Sequence, residues 1–519
     1  MAPSVTAISL VLAALVLVAL RRKKRTSNLP LPPGPPPLPL IGNALDMPKV
    51  GKPVAFRDLC AKYGDIVHLE IFGKPMIVLG SHEAAMDLFE KRSANYSDRT
   101  KNPMIDIAGF AWAMPVQPYG PWWRRHRRAV HQYFNANAVA KYAAFQKLES
   151  HRLVRRLIEN PQDFLKHIRR YFGSSIMRVT YGIEVDDDPV DYLTMAGDVM
   201  TIVAVVFNPG RYLVEVLPWL RHVPTWMPGA AFKRDGVMWT EMANKLITIP
   251  WKATVAAVRA GVARPSMAAE LIERSEMKPD ADPEEEDEIN RNSAAVAYAA
   301  GADTTLSTVE TFFLAMTMYP EVQKRAHVEL MSVVGPHRLP EKEDEPSLHY
   351  IQALAKECLR WRPVVPLGIP HRSLQDDEYK GYFIPAGSLV FANVWAYLQD
   401  EKVYPEPDRF MPERFLKDGR LDPTVRDPAT IAFGYGRRIC PGMHFAETSL
   451  FMVVATVLHT LNISAPLGAD GKPIEASGKM SDGLLAYPEP FGCAIQSASA
   501  ETEALIRASC IEPSSLTIS

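Results

Sequence analysis

Cys440 lies in the run Ala432–Gly442, "AFGYGRRICPG", among three glycines and two adjacent arginines. A thiol in so open and basic a loop can be half of a disulfide, a structural thiol, a nucleophile or a metal ligand. Each use calls for different company. A nucleophile needs a general base close by, and His444 is the only local candidate. A disulfide needs a second cysteine and an oxidising compartment. The five cysteines, Cys60, Cys358, Cys440, Cys493 and Cys510, are odd in number and scattered, with no CxxC or other zinc spacing. A reducing compartment is the simpler reading.

Further along the chain, "AAGADTT" (Ala299–Thr305) joins small residues to an acid and a hydroxyl. Ala300 and Gly301 take bulk off one helix face, and Gly301 costs about 1 kcal/mol in a helix interior. Thr304 can bond the carbonyl one turn back. With Asp303 beside it, the pair can hold and pass a proton next to a groove. The alternative is a kinked helix with Asp303 in a salt bridge. "ECLR" places Glu357 and Arg360 three residues apart on one helix face. "PERF" offers Arg414 from a loop, so two arginines and one glutamate can form a buried, forked network. "YGPWWRRHRR" (Tyr119–Arg128) begins a basic, aromatic helix suited to clamping an anion or to a solvated surface. His371 stands just before strand-like sequence, and a lone histidine is usually structural.

The elements that must carry these residues are mostly helices. "DIVHLEIFGKPMIVLG" (Asp65–Gly80) reads as a hairpin turning at Gly73-Lys74-Pro75. A mainly helical stretch follows from about His82 to Pro363. Within it, the acidic "DADPEEEDEIN" (Asp280–Asn290) reads as a loop leading into a helix of about 30 residues, from about Asp287 to Tyr319. That helix is apolar nearly all round its middle, which predicts burial in a large core. Asp376–Leu398 reads as short strands. The residues after Gln496 are small and polar and predict a loose tail.

The chain has 519 residues, 47% apolar and 23% charged, with a net charge of −1. The balance gives no pull toward nucleic acid. Val5–Leu20 is an uncharged apolar run followed at once by "RRKKR". This order is the reverse of a cleaved signal peptide. It predicts a transmembrane signal anchor over residues 1–25 with the rest of the chain in the cytosol. Residues 26–43 are rich in proline and predict a stiff, extended hinge. A body over residues 44–497 and a polar tail over 498–519 complete the division.

Together, Phe433-x-x-Gly436-x-Arg438-x-Cys440-x-Gly442, "AGADTT", Glu357-x-x-Arg360, "PERF" and Trp123-x-x-x-Arg127 resemble the signature motifs of the cytochrome P-450 monooxygenases. They stand in that family's order, and the resemblance covers essentially residues 1–500. It is closest to the fungal microsomal branch labelled O-methylsterigmatocystin-oxidoreductase-like. The resemblance implies a mainly α fold with a minor β portion, a single large haem-thiolate domain behind an N-terminal transmembrane helix.

It also implies roles. Cys440 is the expected axial ligand of haem b iron, the thiolate pushing electron density onto the metal. Phe433 shields the sulfur, and the glycines, Gly442 among them, bring backbone close to it. Trp123, Arg127, His371 and Arg438 bond the haem propionates. Ala300 and Gly301 line the oxygen groove, and Asp303 with Thr304 delivers protons. Glu357, Arg360 and Arg414 form a structural network.

No GxGxxG fingerprint or room for a flavin domain is present, which points to a separate electron donor. The resemblance implies the membrane-bound NADPH–cytochrome P-450 reductase, with NADPH used indirectly, and cytochrome b5 as an alternative donor. Arg124, Arg125, Arg128 and Arg437 are candidates for that contact; Arg437, unlike Arg438, reads as outward-facing. Met104–Phe110, Ile202–Phe207, Ala297, Val364–Ile369 and Leu484-Leu485 are the expected pocket walls. They are mostly aliphatic and favour a lipophilic substrate: a fungal terpenoid or polyketide first, an indole precursor second. "PWLRHVPTWMPG" is expected to dip into the endoplasmic reticulum membrane beside the entrance. The alternatives are a haem-thiolate isomerase or dehydratase, against which Asp303 and Thr304 argue, and a non-catalytic haem-binding membrane protein.

Overall fold

The computed structural model describes residues 27–207, 210–277 and 282–510. The anchor expected over residues 1–25 falls outside them. Among the described residues, no helix is long and apolar enough to cross a membrane.

One helix, Pro283–Met318, organises the molecule. It starts four residues earlier than its apolar pattern suggested. The Asp282 side chain accepts from the backbone of Glu284 and Glu285, Pro283 takes the first position, and three glutamates fill the first turn. An oxygen cap, an N-terminal proline and acids at the positive end of the dipole all favour a start there. The acidic run Glu284–Glu286 is therefore helix rather than loop. The helix ends at Tyr319, which leaves the helical region (φ −128°, ψ 69°) before Pro320, as the residue before a proline avoids the helical conformation.

Around it pack helices Pro121–Phe134, Phe164–Tyr181, Tyr192–Val206 and Met443–Thr460. One large apolar cluster lies where Phe312 and Phe313 meet Leu153, Phe172, Leu354 and Val453. A second lies where Ala294, Ala297 and Tyr298 meet Phe110, Val130, Ile176 and Trp251. The fold is thus mainly α.

The minor β portion is a four-stranded sheet in the order Ile66–Ile71, Lys74–Leu79, Leu389–Ala392, His371–Arg372. Val67 faces Val78 and Leu69 faces Met76 across the first pair. The turn is at Phe72-Gly73, both with positive φ (49° and 77°), which suits a tight hairpin. Lys74 and Pro75, expected in that turn, already belong to the second strand.

Two terminal expectations change. The proline-rich segment is not extended throughout, since it turns back on itself where Leu38 and Gly42 exchange backbone bonds (3.0 and 2.9 Å), and it does not stand off from the body. Phe383 N–H donates to the Pro30 carbonyl (2.8 Å) and His68 N–H to that of Pro33 (2.9 Å). Asn43 exchanges bonds with Glu70, and its amide also reaches the Pro35 carbonyl (3.0 Å). At the other end, Ala500–Ser509 is a helix capped by Ser499. Its Ile506 and Thr502 are buried, so the stretch before residue 511 is docked rather than loose.

Candidate active site

The Cys440 loop is closed by its own backbone: Cys440 N–H donates to the Phe433 carbonyl at 2.8 Å. Gly436 has φ 57°, and a Cβ there would sit 2.1 Å from the Phe89 carbonyl oxygen. Only glycine allows that approach. It serves the packing of the loop on its neighbour, whereas Gly442 serves the sulfur: its N–H bonds to Cys440. Burial pushes the Cys440 thiol up, while the Gly442 N–H and the Arg127 charge pull it down and Glu447 pushes it up again. Cys440 has exposed surface although protein surrounds it. That surface therefore faces an internal cleft rather than open water.

A second opening lies on the long helix. Ala300 is exposed between buried Ala299 and Ala302, and the Thr304 hydroxyl is likewise accessible. Helix Pro121–Phe134 packs against the long helix and carries Arg127 to Cys440. The two openings thus flank one set of elements.

Cations crowd this place. Arg438 lies over the Trp123 ring, 4.2 Å from its centroid. It donates to the carbonyls of Ser97 (2.7 Å), Gln117 (2.8 Å) and Met114 (3.3 Å), which leaves two of its five N–H groups. Burial, and then repulsion from Arg127 against the pull of Asp98, brings Arg438 down to about 10. Arg127 itself has no carboxylate partner among the described residues, and burial lowers it, with Cys440 as the one opposing influence.

Arg99, which no motif announced, joins them. It is buried, bonded to the carbonyls of Pro115, Ile369 and Pro370, and pulled well down by burial and by Arg438. His371 stacks on Phe89 (4.0 Å) with Nδ1 at 2.6 Å from the Tyr96 carbonyl. Burial and Arg99 keep it well below the usual histidine range. Its Nδ1–H is thus spent on Tyr96, and Nε2, bare in the neutral ring, is left as an acceptor. Asp98 is the local carboxylate, and it already serves Arg372 (3.1 Å) and the Tyr119 N–H (2.8 Å).

Arg99 is buried and Arg127 and Arg438 are half-buried, and cations so withdrawn from water and short of anions need negative charge from elsewhere. A cleft with a thiol on one wall and such cations at its edge fits a metal macrocycle bearing two carboxylates. Haem b matches this donor set: Cys440 would hold its iron, and Arg438, Arg127 and Arg99 would meet its propionates.

On the long helix, Thr304 Oγ1 donates to the Ala300 carbonyl at 2.9 Å, and the helix runs on unbroken. Gly301 is used differently from expectation. A Cβ there would lie 2.7 Å from Ile176 Cγ1, so the glycine admits Ile176 of the adjacent helix; Ala300 is the small residue at the opening. Asp303 is buried, bonded by the Tyr487 hydroxyl and 3.8 Å from Arg169 Nη1. Burial raises its carboxyl, against the pull of Tyr487 and Arg169.

Glu357, Arg360 and Arg414 come together away from the cleft. Arg360 donates through Nε (2.7 Å) and Nη2 (2.8 Å) to the two Glu357 oxygens, and both side chains are fully buried. Arg414 Nε reaches Glu357 at 3.2 Å. The remaining donors go to the carbonyls of Leu398, Pro405, Glu406 and Arg409.

Of the expected pocket walls, Phe207, Leu367 and Leu484 line a cavity of about 40 Å³ with Pro370 and Phe391, and Lys52 and Asp482 also border it. Phe110 packs edge-on against Phe207 (6.0 Å). Among the candidate partner-facing arginines, Arg124, Arg128 and Arg437 are exposed. Arg125 is not available: it pairs with Glu285 (2.5 Å) and Glu286 (2.6 Å) at the start of the long helix.

The mainly helical fold and this cleft are those of a haem-thiolate protein. Residues 32–492 match the cytochrome P-450 family model. Similar proteins include cytochrome P-450 monooxygenase COX1 of Coprinopsis cinerea, 42% identical over 96% of this chain and 98% of that one. Cytochrome P-450 monooxygenase 208 of Postia placenta is 41% identical over 96% of both chains. Tryptamine 4-monooxygenase of Psilocybe cyanescens is 39% identical over 94% of this chain and 96% of that one. The chain belongs to the cytochrome P-450 family, and it is an oxidoreductase of the monooxygenase kind.

Proposed function

We propose that this enzyme hydroxylates or otherwise oxidises a lipophilic small molecule of fungal secondary metabolism, a terpenoid or polyketide before an indole. The observation that carries the reading is the accessible Thr304 hydroxyl, one turn from exposed Ala300 and next to buried Asp303. When bound, the haem supplies oxygen activation through its thiolate-ligated iron.

The chain's own residues supply the rest. Arg438, Arg127 and Arg99 seat the group by charge. The Gly442 N–H and Arg127 temper the Cys440 sulfur, and Phe433 covers the loop. Ala300 keeps space open, and Thr304 presents a hydroxyl there. Asp303, raised by burial, can hold a proton nearer neutral pH than a free carboxyl and pass it on. Phe207, Leu367 and Leu484 give their cavity apolar walls, which favour a lipophilic guest.

Electrons come from NADPH through a separate cytochrome P-450 reductase, with cytochrome b5 as a second donor. Exposed Arg124, Arg128 and Arg437 are the surface suited to an acidic partner. The protein sits on the endoplasmic reticulum membrane, body toward the cytosol. Exposed Trp219, Trp226 and Leu213 support this reading, since aromatic and aliphatic side chains on one surface segment favour an interface. The relative's name, tryptamine 4-monooxygenase, supports keeping an indole among the substrates.

The test is co-expression with a reductase and screening of a fungal metabolite extract for substrate-type shifts in the haem spectrum. Product must require both NADPH and O₂. With a hit in hand, Thr304→Ala and Asp303→Asn are expected to keep binding and to lose most product per NADPH. Full coupling in both would remove the proton-relay reading. Turnover without O₂ would replace the function by an isomerase or dehydratase.

A further inference from the structure

Neither oxygen of Asp303 is free. Tyr487 donates its hydroxyl to Oδ2, and Arg169 lies at Oδ1. Arg169 reaches across from helix Phe164–Tyr181 and is half-exposed. It fits because residue 197 opposite is glycine, where a Cβ would sit 2.9 Å from its Nη1. Among the described residues, the other charged group facing this spot is Glu310, on the same helix two turns further on.

Tyr487 belongs to a small closed turn. Its N–H donates to Ser481 Oγ (2.9 Å), and Ser481 N–H donates to its carbonyl (2.7 Å). Two further bonds link the turn to the long helix and to Val364. Ser307, one helical turn beyond Asp303, donates its hydroxyl to the Ala486 carbonyl at 2.5 Å. The Ala486 N–H donates to the Val364 carbonyl at 2.8 Å. On its other side the same turn carries Leu484, which lines the cavity with Phe207 and Leu367. One seven-residue turn therefore touches the apolar wall through Leu484 and the acid through Tyr487.

We propose that Tyr487 is a positioning residue that couples filling of the cavity to the state of Asp303. With the turn seated, Tyr487 and Arg169 hold both carboxylate oxygens. When a guest displaces Leu484, the turn shifts, the Tyr487 hydroxyl withdraws and Oδ2 is freed. A hydrogen bond to the ionised form favours that form, so withdrawal lets Asp303 take a proton more readily. The inference rests on the reading of Asp303 as the proton donor.

The test uses the full-length, haem-loaded protein and the infrared band of the protonated Asp303 carboxyl, assigned by its loss in Asp303→Asn. In Tyr487→Phe the titration midpoint of that band is expected to move up by about one pH unit. Leu484→Trp adds bulk on the cavity side in place of a guest. It should raise the midpoint when Tyr487 is present and leave it unmoved in Tyr487→Phe. Overturning results are a Tyr487→Phe midpoint equal to the wild type, or equal shifts by Leu484→Trp in both backgrounds. Absence of any band removed by Asp303→Asn overturns it too. A purely structural tyrosine would lower the melting temperature without moving the midpoint. Because no turnover is measured, coupled product formation in Asp303→Asn would sink the relay reading and leave this result standing.

Discussion

Two groups of arginines, one buried and one partly buried, sit in this molecule, and they are built in opposite ways. Around Glu357, Arg360 and Arg414, nearly every donor has a partner in the chain itself, and the central carboxylate takes two arginines and the Met411 N–H at 2.8 Å. Around Cys440, Arg127, Arg99 and Arg438 push on one another, and Asp98 is shared out elsewhere. A closed network holds the fold. An open one waits for charge that the described residues do not supply. Satisfaction of charge, more than burial, separates the structural cluster from the binding cluster.

Substitutions can break or sharpen that contrast. The largest effect is expected from Cys440→Ser, which should abolish the red-shifted Soret band of the reduced carbon monoxide complex; an unchanged band would disprove the ligand. Next is Glu357→Gln, which leaves two buried guanidinium groups without their anion. Its cost should be about 3–5 kcal/mol in chemical denaturation of the apoprotein. Arg127→Met is the counterpart. It removes a cation that lacks a partner, so apoprotein stability should hold or rise while haem loss accelerates about tenfold or more. Equal destabilisation by both variants would erase the distinction.

A smaller effect concerns Glu310. Burial, opposed by Arg169 and reinforced by Asp303, raises it to about 7. The folded protein therefore keeps a proton that the unfolded chain has released above about pH 4.5. The stabilisation from this group is full below that pH and is lost as pH rises through about 7. Glu310→Gln should flatten the stability profile, gaining on the order of 3 kcal/mol over the wild type above pH 7. The smallest expected effect is Gly301→Ala. An exposed helix would gain about 1 kcal/mol, but here Ile176 occupies the space and the change should cost about 1–3 kcal/mol.

The motif residues were legible because each is a local arrangement. The Glu357-Arg360 spacing, the small residues before Asp303 and the glycines about Cys440 follow from one stretch of chain. The long helix was legible from its apolar run, and its true start depended on a cap at Asp282. What stayed hidden arises across the fold. Arg99 has no motif and is brought in by carbonyls some 270 residues away in sequence. Tyr487 and Arg169 meet Asp303 only once three elements pack. Gly301 looked like a groove residue because nothing in its own stretch names Ile176. The helix Ala500–Ser509 was missed because its buried face is little more than Thr502 and Ile506, too few for a periodic signal.

The bonds of Pro30, Pro33 and Pro35 carry a mechanical consequence. Pro30 is tied to the strand Tyr382–Ile384, Pro33 to Ile66–Ile71, and Pro35 to the Asn43 side chain. Tension applied upstream of residue 27 would pass into two separate sheets at once, in shear, rather than into a swivel. Any chain preceding the body therefore transmits torque as well as pull, and its heading is inherited from the strand directions of those sheets. Lengthening the segment with glycines after Pro33 would convert a strut into a tether.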